Sequence, residues 1–208
     1  MKTLAFELSS GQGSIALLEN GAVLSERIFP SDRKDSGAFF ESVELCLKQF
    51  GAPEEIVVGL GPGSYAGVRI AIASAIDLRT AIGAKLGGLA SICALDVEER
   101  GYWVIGDARR QSFYLARVSD GRLIEGPTLM AADDLQTKIS EATVPVYSSE
   151  KLPQFAQAKL VYPVARRLAE LGRLQSSEID DTRPLEPIYL REPHITTPKE
   201  VRAFAPTK

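Results

Sequence analysis

The sequence predicts an α/β protein built as two lobes. Three features carry this reading. Short stretches of alternating or continuous apolar residues, bounded by turn signals, recur along the chain as strands do. Two long helical patterns, residues 36–50 and 65–82, are interleaved with them. A second strand meander begins near residue 101, which places a seam close to residue 100: a first lobe over 1–100, and a second, smaller lobe with a C-terminal tail over 101–208. No close sequence repeat and no low-complexity segment accompanies this.

The elements follow in order. Residues 2–28 read as a three-stranded meander. "TLAFELS" sets Leu4, Phe6 and Leu8 against smaller or polar residues, "SIALLE" follows the turn "GQG", and Asn20-Gly21 is a hairpin signal before "AVLSERI". In "SGAFFESVELCLKQF", Phe39, Val43, Cys46, Leu47 and Phe50 form one stripe of an amphipathic helix, stopped by Gly51 and Pro53. "EIVVGL" is apolar on both faces, as a covered central strand is. The helix from Tyr65 to Ile82 carries no charge between Ile70 and Ile76, so it is expected to be buried in a core or against another chain. A short strand and short helix fill 84–99. "YWVIGDAR", "SFYLARVS" and "RLIEGPTLM" are three further strands, the last two joined at Asp120-Gly121. A helix near Ala131–Ser140, a strand in "VPVYSS" and a helix near Pro163–Gly172 complete the second lobe. The tail from Thr182 is Pro-rich, and its last residues are expected to be mobile.

Composition narrows the function. Of 208 residues, 45% are hydrophobic and 25% charged, ordinary for a soluble globular chain with a sizeable core. No apolar run reaches the length of a membrane span, and "MKTLAFELSS" does not read as a signal peptide. Cys46 and Cys93 form no CxxC pair and read as reduced thiols, which together with the missing signal points to the cytoplasm. A net charge of −3 argues against nucleic-acid binding by this chain alone, and leaves open a nucleic acid handled by a partner.

The segment "VVGLGPGSYAGVRIAIASAI" has the layout of a phosphate loop: strand, closely spaced glycines, helix. A P-loop needs a Gly-Lys-Ser/Thr ending, and no lysine lies between Lys48 and Lys85. Gly61, Gly63 and Ala66 fit a dinucleotide fingerprint, but no Asp or Glu follows between Leu78 and Ala94 to bind a ribose. The reading that remains is a fold-building turn. Pro62 fixes φ, Gly61 and Gly63 supply backbone freedom, and Ser64 caps the helix. Gly61, Gly63 and Ser64 stay as weak anion or nucleotide candidates through the free amides of the helix start. No HExxH, no His/Cys metal set and no G-x-S-x-G elbow occurs. The single histidine, His194, lies in the tail. Asp107, Arg109 and Arg110 in "GDARRQSFY" read as a local ion pair in a turn.

The helix 65–82 also carries small residues at regular spacing. Gly67, Ala71 and Ala75 recur every fourth position, as at close helix–helix contacts. With Ile70 and Ser74, and with Phe39, Phe40, Val43 and Leu47 of the first helix, they are the expected partner interface.

The segments "LAFELSS...SIALLENG", "GLGPGSYAGVRIAIASA", "GDARRQSFYLA" and "PIYLR", in that order, resemble the TsaB/YeaZ family over most of the chain. The resemblance implies the actin-like ATPase (ribonuclease-H-like) fold in two lobes. It implies a non-catalytic partner of TsaD, the subunit that transfers threonylcarbamoyl to tRNA adenosine, with the ATPase TsaE joining them. Further implications are a homodimer when those partners are absent, contact with tRNA only through them, no membrane, no metal, and at most weak ATP or ADP binding at a subunit interface. Three departures from the family pattern stand out: Glu7 where an Asp is usual, Asp35 where a His is usual, and Ala66 where a Thr is usual. The alternative is an active small-molecule kinase or ATPase of the same fold.

Overall fold

The side chains of strand β1 (Lys2–Glu7) alternate between two cores, and the fold follows from that alternation. Leu4 and Phe6 point to one side and Ala5 to the other. Strands β2 (Gln12–Glu19) and β4 (Glu55–Gly59) do the same: Ile15, Leu17, Ile56 and Val58 join Leu4 and Phe6, while Ala16, Leu18 and Val57 join Ala5. A sheet apolar on both faces must be covered on both. The computed structural model describes residues 1–31, 36–175 and 184–191, and shows how. Asp35, His194 and the final residues of the tail lie outside the described residues.

With β3 (Ala22–Pro30) and β5 (Lys85–Leu89), the first sheet has the order β3-β2-β1-β4-β5. β1, β2 and β3 are antiparallel neighbours, and β4 and β5 run parallel to β1. Helices α1 (Gly37–Phe50) and α2 (Tyr65–Ile82) cover one face: α1 lies over β2 and β3, and α2 over β4, β1 and β5. A 3-10 turn spans Ser91–Ala94.

The second sheet repeats this plan. β6 (Gly101–Asp107), β7 (Phe113–Ser119) and β8 (Arg122–Met130) form an antiparallel meander, and β9 (Val146–Ser148) and β10 (Lys159–Leu160) add in parallel beside β6. Its order, β8-β7-β6-β9-β10, is the first sheet's order strand for strand. Two such units make the actin-like, ribonuclease-H-like fold. α3 (Ala132–Ser140) covers the outer face through Leu135 and Ile139. The inner face, with Tyr102, Val104, Tyr114, Ala116 and Val118, shares a core with the first sheet and with α4 (Ala165–Leu174).

Helix α4 follows the second sheet in the chain but packs on β1, β2 and β4 of the first. It can lie close because Ala5 and Ala16 beneath it are small and because Gly172 has no side chain; a Cβ there would fall 2.6 Å from Val57. Its first turn lacks a local side-chain cap. The missing acceptor comes from Ser14 of β2, fully buried, whose hydroxyl accepts from the Ala165 amide at 2.8 Å. Ser14→Ala should therefore cost about 1–2 kcal/mol by orphaning a buried amide. Urea unfolding of the variant tests this, and an unchanged midpoint would show that another acceptor serves α4.

Candidate functional site

The glycine loop leaves β4 at Gly59 and enters α2 at Tyr65. Gly61 sits at φ +86°, a conformation that only glycine takes readily. Gly63 is needed for a different reason: a Cβ there would lie 2.1 Å from the Ser9 carbonyl oxygen. Ser64 is the N-cap, as its position predicts, and its hydroxyl accepts from the Gly67 amide at 3.3 Å. Three amides of the loop are engaged within the chain. Leu60 N–H donates to Leu89 O (2.8 Å), Gly61 N–H to Ser91 Oγ (2.9 Å) and Ser64 N–H to Ser9 O (2.6 Å). Ser91 closes on Gly61 from both sides, since its own amide donates to the Gly61 carbonyl at 2.8 Å.

Beneath the loop lies Glu7, at the end of β1 and fully buried. Its Oε1 accepts from the Ser9 amide at 2.6 Å, while Oε2 has no hydrogen-bond partner. Gly59 makes room for it, because a Cβ there would fall 1.9 Å from Oε2. Burial pushes the Glu7 carboxyl above the usual carboxylate range, opposed in part by Ser9 and by the nearby Ser91 hydroxyl. The equivalent strand end of the second sheet carries Asp107, whose Oδ1 accepts from the Arg109 amide at 2.6 Å. Arg109 Nη1 stands 3.0 Å from Asp107 Oδ2, the ion pair expected in this turn. Among the described residues no group of three His, Cys, Asp or Glu could hold a metal ion, and no helix is long and apolar enough to cross a membrane.

On the helices, the structure corrects part of the expected interface. Gly67, Ala71 and Ala75 face the protein's own sheet. A Cβ on Gly67 would lie 2.0 Å from Leu8 O, and Ala71 and Ala75 are fully buried beside Phe6 and Val58. Their small size serves close packing of α2 on β1 and β4, not the approach of a second chain. Ile70 and Ser74 sit at the edge of the buried face. Phe39 is also internal, edge-to-face against Phe6 at 5.2 Å, whereas Phe40 is 51% exposed. Val43 and Leu47 are half-buried, and Leu47 packs on the same core.

The outward stripe of α2 is instead Tyr65, Ala66, Arg69, Ala73, Ile76 and Asp77. The charges at Arg69 and Asp77 mark this face on a helical wheel, a signal that the regular Gly-Ala-Ala spacing overshadows. The tail adds to it. Ile188 N–H donates to Leu60 O at 2.8 Å, and the Tyr189 hydroxyl accepts from Arg69 Nε (2.9 Å) and Nη2 (2.7 Å). The Arg69 guanidinium lies 4.0 Å over the Tyr65 ring, so Ile188 and Tyr189 of "PIYLR" are held against the loop and α2.

No protein-family model matches the chain. It is 33% identical over 144 residues to uncharacterized proteins of Mycobacterium leprae and Mycobacterium bovis. That match covers 67% of this chain, and 38% of the M. leprae protein or 65% of the M. bovis one, so the chain spans less than two thirds of these relatives. Among solved structures it is similar to a Pseudomonas aeruginosa protein described as having similarity to peptidase YeaZ, at 23% identity and a TM-score of 0.74. It is also similar to YeaZ from the same organism, at 20% identity and a TM-score of 0.69. Each superposition covers 91% of this chain and 99% of the other, so the whole described architecture is a YeaZ-type fold.

Two outcomes follow from the loop and from Glu7. Gly63→Ala should destabilise by about 1–3 kcal/mol, because the Ser9 carbonyl cannot move aside freely, while Gly11→Ala, which meets nothing within 4 Å, should be tolerated. Equal melting temperatures for the two variants would contradict the close approach. For Glu7, the folded state raises the carboxyl pKa above its unfolded value. Ionisation therefore costs nothing below the ordinary glutamate range and weighs increasingly against folding as pH rises through the folded pKa. Glu7→Gln should match the wild type in acid and become the more stable protein towards neutral pH, as melts across a pH series will show. Parallel pH profiles would mean that Oε2 has a partner after all.

Proposed function

We propose that the chain is a member of the TsaB/YeaZ family and acts as a partner subunit of a TsaD-type protein in tRNA threonylcarbamoyladenosine synthesis, with TsaE joining the pair. In this reading it is cytoplasmic, is not itself the catalyst, reaches tRNA only through its partners, and binds ATP or ADP at most weakly at a subunit interface. The YeaZ-type fold over nearly the whole chain supports the family. The engaged amides of the glycine loop support a scaffolding role for that loop.

The observation that carries the partner role is the outward stripe of α2, which is symmetric about Ala73. Arg69 and Asp77 lie four residues to either side of it, and Ile70 and Ile76 three residues to either side. A second such helix crossing antiparallel at Ala73 would set Arg69 against Asp77 and Ile70 against Ile76, twice over, as a two-fold interface requires. Alanine at the crossing lets the backbones approach. Ile76, 43% exposed, and Phe40 on α1, above the same face of the sheet, add apolar surface. The same stripe serves a homodimer or a structurally related TsaD helix.

Ala73→Arg tests this without touching the core. The variant should keep its fold, lose the dimer in light scattering and fail to capture a TsaD protein from the same organism. Ala71→Arg, at a fully buried position, should instead unfold the chain. A folded Ala73→Arg protein that still dimerises and still captures TsaD would place the interface elsewhere.

A further inference from the structure

Residues 184–191 cross the glycine loop and reach the outward stripe of α2. Leu185 packs on the core beneath α1 and α2, and Leu190 on the core shared by the two lobes. Between them Ile188 N–H donates to Leu60 O at 2.8 Å. The backbone is thus fixed on both sides of Tyr189 by contacts that do not involve its side chain. The Tyr189 ring stays 41% exposed and lies beside α2, its centroid 5.9 Å from that of Tyr65. Its hydroxyl is given to Arg69, an exposed side chain on that stripe.

That contact fixes how Arg69 stands. Nε and Nη2 donate to the one Tyr189 oxygen, at 2.9 and 2.7 Å, which fills one edge of the guanidinium. One face is covered by the Tyr65 ring, 4.0 Å away. The second donor edge, Nη1 with Nη2, has no partner among the described residues, and it is the edge that can meet a carboxylate end-on with two hydrogen bonds. Asp77 is exposed on the same stripe and likewise has no hydrogen-bond or ion-pair partner among the described residues. The two cannot pair within one chain, because eight helical residues separate them by about 12 Å along the axis. Exposed ion pairs are weak in part because two long side chains must be immobilised to form them. Here Tyr189 and Tyr65 have already immobilised the longer one.

We propose that Tyr189 is a positioning residue for self-association: it holds one edge of Arg69 and thereby aims the open edge at Asp77 of a second copy of this chain. This role rests on the α2 face described above and extends that face to the segment 184–191. A second copy is the occupant because the stripe itself supplies both halves of the pair. Antiparallel crossing at Ala73 brings each Arg69 to the other chain's Asp77, so both open groups are satisfied at once, twice over.

The test uses the full-length chain, with dimer dissociation constants taken from dilution series in analytical ultracentrifugation. Tyr189→Phe keeps the ring and removes the hydroxyl oxygen. It should weaken the dimer about five- to tenfold with little change in melting temperature. Asp77→Ala should weaken the dimer at least as much, and adding Tyr189→Phe to it should cost little more, because the group that Arg69 is aimed at has gone. Arg69→Asp and Asp77→Arg should each abolish the dimer, and the two together should restore it in part. The assignment falls if Tyr189→Phe lowers the melting temperature and leaves the dimer constant unchanged, as a mere anchor for the tail would. It also falls if the effects of Tyr189→Phe and Asp77→Ala add in full, or if the doubly swapped chain is as monomeric as the single variants. A dimer that Ala73→Arg breaks and Tyr189→Phe does not touch sinks this assignment alone and leaves the α2 face standing. A wild-type chain that stays monomeric yet captures a TsaD protein overturns the second copy as occupant, and one that does neither takes the partner-subunit reading down as well.

Discussion

The contact between the turn after β1 and the start of α2 sets the orientation of most of what faces solvent on this side of the protein. Ser64 N–H donates to Ser9 O at 2.6 Å, and Gly63 and Gly67 leave no Cβ where Ser9 O and Leu8 O lie. Backbone meets backbone, with no flexible side chain between to absorb a rotation. Once Gly67 faces down, helical geometry turns Ala71 and Ala75 down with it, and sends Arg69, Ala73 and Asp77 outward. The exposed stripe is therefore a consequence of two glycines beneath it.

The same approach closes the space over Glu7. The loop passes close to the end of β1, Gly59 admits the carboxylate, and Ser91 engages Gly61 through both backbone and side chain. The result is a buried carboxylate whose Oε2 has no hydrogen-bond partner among the described residues. Burial there favours the neutral form of the Glu7 carboxyl, opposed in part by Ser9 and Ser91. The hydrogen bonds around it belong to the architecture of the loop.

The two sheets also share a local device. At the end of each central strand a carboxylate accepts from the amide two residues on, Glu7 from Ser9 and Asp107 from Arg109. In the first half the turn beyond is overlaid by the glycine loop and buried. In the second it projects into solvent with arginines at its tip. One plan thus produces an internal joint in one half and an exposed hairpin in the other, and α4 joins the halves by packing on the sheet opposite its own.

The sequence by itself determined what depends on near neighbours. Strand alternation in β1, the Ser64 cap, the glycine stops after α1 and the Asn20-Gly21 and Asp120-Gly121 hairpins all follow from residues within a few positions of one another, and all are present. The Asp107–Arg109 pair was legible for the same reason. The charges at Arg69 and Asp77 point to the outward face of α2, but the tertiary structure fixed it, because α2 carries small residues on both sides: Gly67, Ala71 and Ala75 on one, Ala66 and Ala73 on the other. Leu8 and Ser9, more than fifty positions upstream, choose between them. The tie between Arg69 and Tyr189, 120 residues apart, was hidden likewise, and the second meander near residue 101 pointed to a second similar half without giving its strand order. Strand order is set by hydrogen bonds between backbones, which are common to every sequence, so two halves can share it while their side chains differ.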